Sequence, residues 1–160
     1  MSNLVTVGIS DMQIVRSADA LVTYALGSCV GICLYDPLMK IGALGHIMLP
    51  VAAEINFAGS KRKYADTCIP LMISEMEKLG CSRARLVAKI AGGAKMFDVG
   101  VSTFGNIGDR NVLAVRDSLR RHKIRINAED IGLNYGRTVY FYTEDGKMVV
   151  KSFASGIKSY

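Results

Sequence analysis

The first third of the chain is a succession of short apolar runs. Leu4 to Gly8 is one, and Leu21–Leu26, Cys29–Tyr35 and Ile41–Met48 contain no charged residue. Uncharged runs of this length predict strands buried on both faces. Asp36-Pro37, with Lys40 after it, predicts a turn between two of them. The polar stretch Glu54 to Lys63 predicts a surface loop. The period then changes. Cys68, Met72, Met76 and Leu79 recur at intervals of four and three, which predicts a helix that ends on Gly80. Asp66 or Thr67 would cap its start, and Pro70 fits only near the first turn or kinks the helix. Arg85 to Ala91 predicts another buried strand, closed by Gly92-Gly93. A second helix fits Asp109 to Arg121, with Val112, Val115 and Leu119 on one face and basic residues at the negative end of its dipole. Lys123 to Ala128 alternates as a strand. Thr138–Tyr142 and Met148–Phe153 flank Glu144-Asp145-Gly146-Lys147, a hairpin signal. Many strands and two main helices predict a mixed α/β layer architecture in one domain, residues 1–160.

Composition narrows the class. Half of the chain is apolar and its mean hydropathy is +0.25, enough for a real core and unlike a disordered chain. The longest uncharged run, Ala20 to Tyr35, is shorter than a membrane span and is interrupted by Thr23, Gly27, Ser28 and Gly31. The N-terminus lacks the basic cluster and apolar core of a secretory signal. These features predict a soluble, cytoplasmic protein with free thiols. The net charge of +6 fits a solvated basic surface better than a nucleic-acid interface. Its basic knots, Lys61-Arg62-Lys63 and Arg120-Arg121-His122-Lys123, are short and carry no interleaved aromatics. No heptad is present, which favours a monomer.

Only four cysteines (Cys29, Cys33, Cys68, Cys81) and two histidines (His46, His122) are available for chemistry. No cysteine pair has CxxC spacing, and two histidines cannot complete several metal sites, so no metal is expected. Cys29 lies in Leu26-Gly27-Ser28-Cys29-Val30-Gly31, where glycines allow a tight turn. Such a turn can present a thiol beside backbone N–H groups, although a cysteine there also fits a buried core. His46 lies inside an uncharged run, where an imidazole needs a partner; a satisfied core histidine is the plainer alternative. The two gain weight together. A thiol and an imidazole on neighbouring strands joined by a short turn can lie side by side, and an imidazolium there would favour the thiolate. His122 ends a basic helix and reads as a surface residue, while Cys33, Cys68 and Cys81 read as packing. Ala91-Gly92-Gly93-Ala94-Lys95 lacks the ending of a phosphate loop and reads as a glycine turn near the site. Lys89, Arg110, Asp130 and Arg137 read as surface pairs.

Several of these stretches occur in an order that resembles a known family. Leu26-Gly27-Ser28-Cys29, Asp36-Pro37, Gly45-His46-Ile47-Met48-Leu49-Pro50 and Lys63-Tyr64-Ala65-Asp66 come first. Lys89-Ile90-Ala91-Gly92-Gly93-Ala94-Lys95-Met96-Phe97, Ile107-Gly108-Asp109-Arg110-Asn111 and Ala128-Glu129-Asp130 follow. Together they resemble the CheD chemoreceptor glutamine deamidases, from about residue 5 to about residue 152. One departure stands out: after Asp130 that family tends to have Gly-Gly, and here Gly132 precedes Leu133.

The resemblance implies an amidohydrolase that converts glutamines of methyl-accepting chemotaxis receptors to glutamates. It places the nucleophile on Cys29, the base on His46 and a third, orienting residue on Thr23. Backbone groups at Gly27 and Ser28 would face substrate or its oxyanion. It implies packed mixed β-sheets with flanking helices, similar to the cysteine hydrolase fold of the cytotoxic necrotising factor toxins. No cofactor is required, and no membrane insertion or nucleic-acid partner is expected. The family also binds CheC-type phosphatases, so a regulatory binding module in chemotaxis adaptation is the alternative reading. Residence at receptor clusters would follow from the substrate.

Overall fold

Alternation along β-strands decides which layer each side chain joins, and two strands here bury both faces. The computed structural model describes residues 2–52, 60–96 and 106–160. Its elements are β1 (Leu4–Thr6), β2 (Asp11–Arg16), β3 (Ala20–Leu26), β4 (Val30–Asp36) and β5 (Ile41–Ile47). They are followed by α1 (Ala65–Lys78), β6 (Val87–Gly92), α2 (Ile107–Arg121), β7 (Arg125–Ile131), β8 (Arg137–Tyr142), β9 (Lys147–Ser152) and β10 (Gly156–Ser159).

The strands form two five-stranded mixed sheets, ordered β1-β3-β8-β9-β10 and β2-β5-β4-β6-β7. β1 with β3 and β6 with β7 are parallel, and the other neighbours are antiparallel. Every residue of β4 and β5 is buried. Val30, Ile32 and Leu34 join a core with Ile69, Met72 and Leu119 of the helices. Cys33, Tyr35 and Leu44 join a second core with Leu21, Val139 and Phe141 of the other sheet. The molecule is thus sheet on sheet on helices, with β4 and β5 in the middle. Each fully buried Leu, Ile or Phe there contributes about 1.5–3 kcal/mol against exposure. This is the mixed α/β layer architecture that the sequence pattern predicts, built as the packed mixed sheets with flanking helices that the family resemblance implies.

Details differ from the sequence pattern. β2 and β10 are edge strands that it does not mark. β4 starts at Val30, which leaves Cys29 in a bend, and β7 runs on to Ile131. Neither Asp66 nor Thr67 caps α1. Its cap is Tyr64, with no side-chain hydrogen bond, and the Asp66 carboxylate instead accepts the Ala52 amide at 2.9 Å. Pro70 sits inside α1, past the first turn. The C-terminus of α1 is as expected: Gly80 is left-handed, and the Gly80 and Cys81 amides return to Glu77 and Met76. α2 begins two residues earlier than its apolar face suggests. Asn106 caps it by accepting the Asp109 amide at 2.9 Å. Of the polar stretch 54–63, residues 54–59 lie outside the described residues, and Lys61–Lys63 form a 3-10 turn. No helix among the described residues is long and apolar enough to cross a membrane.

Candidate active site

β3 and β4 are consecutive in sequence but lie in different sheets. The three residues between them, Gly27-Ser28-Cys29, therefore carry the chain from one sheet to the other. That crossing puts Cys29 at the end of the sandwich, half-buried against the inter-sheet core. β4 and β5 pair antiparallel with Gly31 opposite His46. Cys29 precedes Gly31 by two residues and lies just before the ladder, whose last pair is Val30 with Ile47. The bare Gly31 position is packed against Leu26 and Thr23 of the opposite sheet: a Cβ there would lie 3.1 Å from the Leu26 side chain.

His46 and Thr23 are both fully buried. The Thr23 hydroxyl donates to the Val7 carbonyl at 2.7 Å and contacts His46 Nδ1 at 2.7 Å. A hydroxyl has one proton, and a carbonyl can only accept. Thr23 therefore accepts from Nδ1–H, which fixes the tautomer and leaves the lone pair on Nε2. His46 Nε2 is buried and has no hydrogen-bond partner among the described residues. Burial holds the His46 pKa down at about 4. Burial also raises the Cys29 thiol, an effect its own backbone N–H partly offsets. At neutral pH the Cys29 thiol and the His46 imidazole are both neutral, and no hydrogen bond joins them. This differs from the imidazolium–thiolate pair that adjacent strands suggest, because desolvation opposes both charges.

The bend is clamped through its carbonyls. Gly27 O accepts the Ala94 amide at 2.9 Å, and Cys29 O accepts the Gly93 amide at 2.8 Å. Ser28 O accepts from Asn111 Nδ2 at 2.9 Å. With the carbonyls turned into the protein, the Ser28 and Cys29 amides donate to no backbone carbonyl among the described residues. The Gly92-Gly93 turn is needed for this clamp. Gly92 has φ +112°, and a Cβ there would lie 2.3 Å from the Cys29 carbonyl oxygen. The glycine-rich stretch is thus a backbone seat for the Cys29 bend.

Asn111 is a site residue that sequence pattern alone does not single out. It is fully buried on α2, and its Nδ2 also donates to Met48 O at 2.9 Å. One side chain therefore ties the Cys29 bend to the strand end beyond His46. Its signal is a polar residue beside Val112 and four before Val115 on the apolar face of a helix. Asp130 and Arg137, which read as surface pairs, are instead buried: Arg137 Nε donates to Asp130 at 2.8 Å. The pair links β7 of one sheet to β8 of the other. Lys89 reaches the Gly146 and Tyr160 carbonyls at 2.8 and 2.9 Å. His122 terminates α2, its Nδ1 2.8 Å from Ser118 O. Cys33, Cys68 and Cys81 are buried and unbridged. Among the described residues, no three His, Cys, Asp or Glu side chains converge as a metal site.

A family model described as CheD chemotactic sensory transduction matches residues 48–152. The chain belongs to the CheD family. Its relatives extend the match over nearly the whole length. A protein of Caldanaerobacter subterraneus subsp. tengcongensis is 48% identical over 158 residues, 98% of each chain. One from Archaeoglobus fulgidus is 47% identical over 158 residues, again 98% of each. One from Syntrophomonas wolfei is 46% identical over 157 residues. All three are named probable chemoreceptor glutamine deamidase CheD. The family model starts two residues after His46, so its match does not itself cover Thr23, Cys29 or His46. A crystal structure of a Neisseria meningitidis protein of family DUF152 aligns with a TM-score of 0.53 at 10% identity. It covers 81% of this CheD chain, and this chain spans 64% of that one. At that identity the likeness is one of fold. Leu133, where this CheD sequence departs from the Gly-Gly pattern, has φ +60° after Gly132 at +75°. Leu133 O accepts the Lys95 amide at 2.8 Å. The backbone thus keeps a glycine-like shape without the second glycine.

Proposed function

We propose that this chain is a protein-glutamine deamidase acting on chemoreceptors, with Cys29 as nucleophile and His46 as base. The names of its full-length relatives supply the substrate class. The observation that carries the chemistry is the Thr23–His46 contact, because it leaves an unprotonated, unpartnered Nε2 buried on β5, opposite Gly31 of the strand that Cys29 leads into. A nitrogen held at a pKa of about 4 is free to accept a proton at neutral pH.

In the proposed reaction His46 Nε2 takes the Cys29 proton as sulfur attacks the carboxamide carbon, so charge separates only when substrate is in place. The Ser28 and Cys29 amides stabilise the oxyanion. The carbon–nitrogen bond then breaks, the His46 proton leaves with ammonia, and a γ-glutamyl thioester remains. His46 next deprotonates a water that attacks the thioester. Carbon–sulfur cleavage releases glutamate and returns the proton to Cys29. Thr23 holds the imidazole in one tautomer throughout.

The test is to incubate the protein with a receptor cytoplasmic fragment and follow Gln-to-Glu conversion by peptide mass spectrometry. Cys29→Ala and His46→Ala should each abolish conversion. Undiminished conversion by Cys29→Ala would sink the mechanism.

A further inference from the structure

The outer face of the first sheet carries a groove of about 740 Å³ that the catalytic reading does not use. It is lined by Tyr24, Tyr140, Arg137, Lys151, Phe153 and Ile157 among others. These come from the end of β3, the start of β8 and the β9–β10 turn, which all lie at the same end of the sheet. The groove and the Cys29 bend therefore share one end of the molecule. Tyr24 is next to Thr23 in sequence but faces the other way, since Thr23 is buried and Tyr24 is about half exposed. A bulge between Thr23 and Leu26, with Ala25 at φ +57°, sets the lip of the groove directly before the bend.

The chemistry of the groove is one-sided. Phe153 is wholly exposed at the tip of a tight turn, and Ile157 is 68% exposed. Isolated exposed apolar residues are ordinary, but aromatic and aliphatic side chains gathered on one groove mark a contact surface. No described residue lining it is acidic, and Lys151 stands over the Tyr140 ring at 4.6 Å. Arg137 backs the wall but is buried, with its charge met by Asp130 at 2.8 Å, so Lys151 is the cation the groove offers. An occupant that matches it brings apolar side chains and carboxylates, against a protein of net charge +6. We propose that this groove docks the acidic polypeptide segment flanking the glutamine that Cys29 attacks. Phe153 is its apolar contact and Lys151 its contact for a carboxylate. The identity of the occupant rests on the deamidase reading, but the docking itself can be measured without turnover.

The experiment uses Cys29→Ala protein, so that no chemistry consumes the ligand, and a fluorescent receptor cytoplasmic fragment read by anisotropy. Phe153→Ser and Lys151→Glu should each weaken binding by about tenfold, as loss of an anchoring contact does. Both positions are exposed, so thermal midpoints should stay at the parent value and exclude misfolding as the cause. Leu38→Ser, an exposed residue in the turn between β4 and β5, should leave affinity unchanged. High salt should weaken the parent complex and have less effect on Lys151→Glu. Parent-like affinity in both groove variants would overturn the proposal, as would no binding by the parent. So would a concentration-dependent dimer in sedimentation that Phe153→Ser dissolves, because the groove would then take a second copy. Groove-dependent binding without Gln-to-Glu conversion by the unmodified protein would support docking and refute the deamidase reading alone.

Discussion

Thr23→Val removes one oxygen and keeps the shape of the side chain, yet the structure makes it costly. The Thr23 hydroxyl serves two buried groups, the Val7 carbonyl and His46 Nδ1, each at 2.7 Å. No solvent replaces it, because Thr23 and His46 are both fully buried. Leaving a buried donor or acceptor unpaired costs about 1–3 kcal/mol, so the two together predict about 2–6 kcal/mol of lost stability. The catalytic effect is separate. Without Thr23 as acceptor, nothing holds the proton on Nδ1, and the imidazole gains by placing it elsewhere. A positioned general base contributes roughly 10²–10⁴-fold, so kcat should fall by about a hundredfold or more. Thr23→Ser keeps the hydroxyl and deletes one methyl, at about 1 kcal/mol. It should keep most of the activity. Urea unfolding measures the first effect, and initial rates of Gln-to-Glu conversion measure the second. A Thr23→Val protein with parent stability and parent kcat would refute the assigned hydrogen-bond direction and the role built on it.

Four further outcomes follow from the same geometry. The His46 pKa is lowered from 6.5 to about 4, so its contribution is fully present above pH 6.5 and is lost as pH falls toward 4. In that window the unfolded chain binds the extra proton, and stability should fall by about 1.4 kcal/mol per pH unit. His46→Leu should show a shallower acid slope in urea midpoints, and an identical slope would refute the neutral buried imidazole. In native protein one thiol of the four should react promptly with a disulfide reagent, because Cys29 is half-buried and Cys33, Cys68 and Cys81 are buried; all four should react in urea. Two or more prompt thiols would contradict the packing. Gly92→Ala should lower stability by more than about 2 kcal/mol and disturb Cys29 labelling, since its Cβ would meet the Cys29 carbonyl oxygen at 2.3 Å. Leu133→Gly should be neutral or stabilising in thermal unfolding, while Leu133→Val should cost about 1 kcal/mol or more. Residue 133 is left-handed, which a β-branched side chain tolerates poorly.

What the chain reveals in advance tracks how much apolar surface each element buries. β3, β4 and β5 announce themselves because they lack charge apart from Asp36 at the end of β4, and β4 and β5 lie between two cores. β2 is an edge strand with one neighbour, and Asp11, Gln13 and Arg16 dilute its alternation. β10 is four exposed residues and has almost no hydrophobic pattern to detect. That Cys29 and His46 come to the same end of one hairpin is legible because their strands are joined by the short turn at Asp36. Thr23 is different. It sits on the opposite sheet, and nothing local encodes how one sheet registers on another. Only the family resemblance brings it forward. Asp130 and Arg137 mislead for a related reason: charged residues usually lie outside, and their burial depends on a partner from another sheet. α1 shows a limit of capping rules, since Asp66 is engaged by the Ala52 amide and cannot cap its own helix.

The buried polar atoms left without partners gather where chemistry is proposed. Among the described residues they are His46 Nε2, Asn111 Oδ1, Ser118 Oγ and Arg137 Nη2. Three of the four belong to residues around the Leu26–Cys29 stretch: Arg137 pairs with Leu26, Asn111 holds Ser28, and His46 lies opposite Gly31. Each unpaired group costs stability, so its retention needs a reason. For His46 the proposed reaction supplies the reason, because a base whose lone pair already accepts a hydrogen bond cannot take a thiol proton. For Asn111 it is geometric. Both of its near partners are carbonyls, so the NH₂ must face them, and Oδ1 is turned toward whatever lies behind. Exchanging Asn111 for an apolar residue would remove the orphaned oxygen but release two carbonyls and the bend they anchor. The cost is the condition for holding Cys29 and the His46 strand end in one frame.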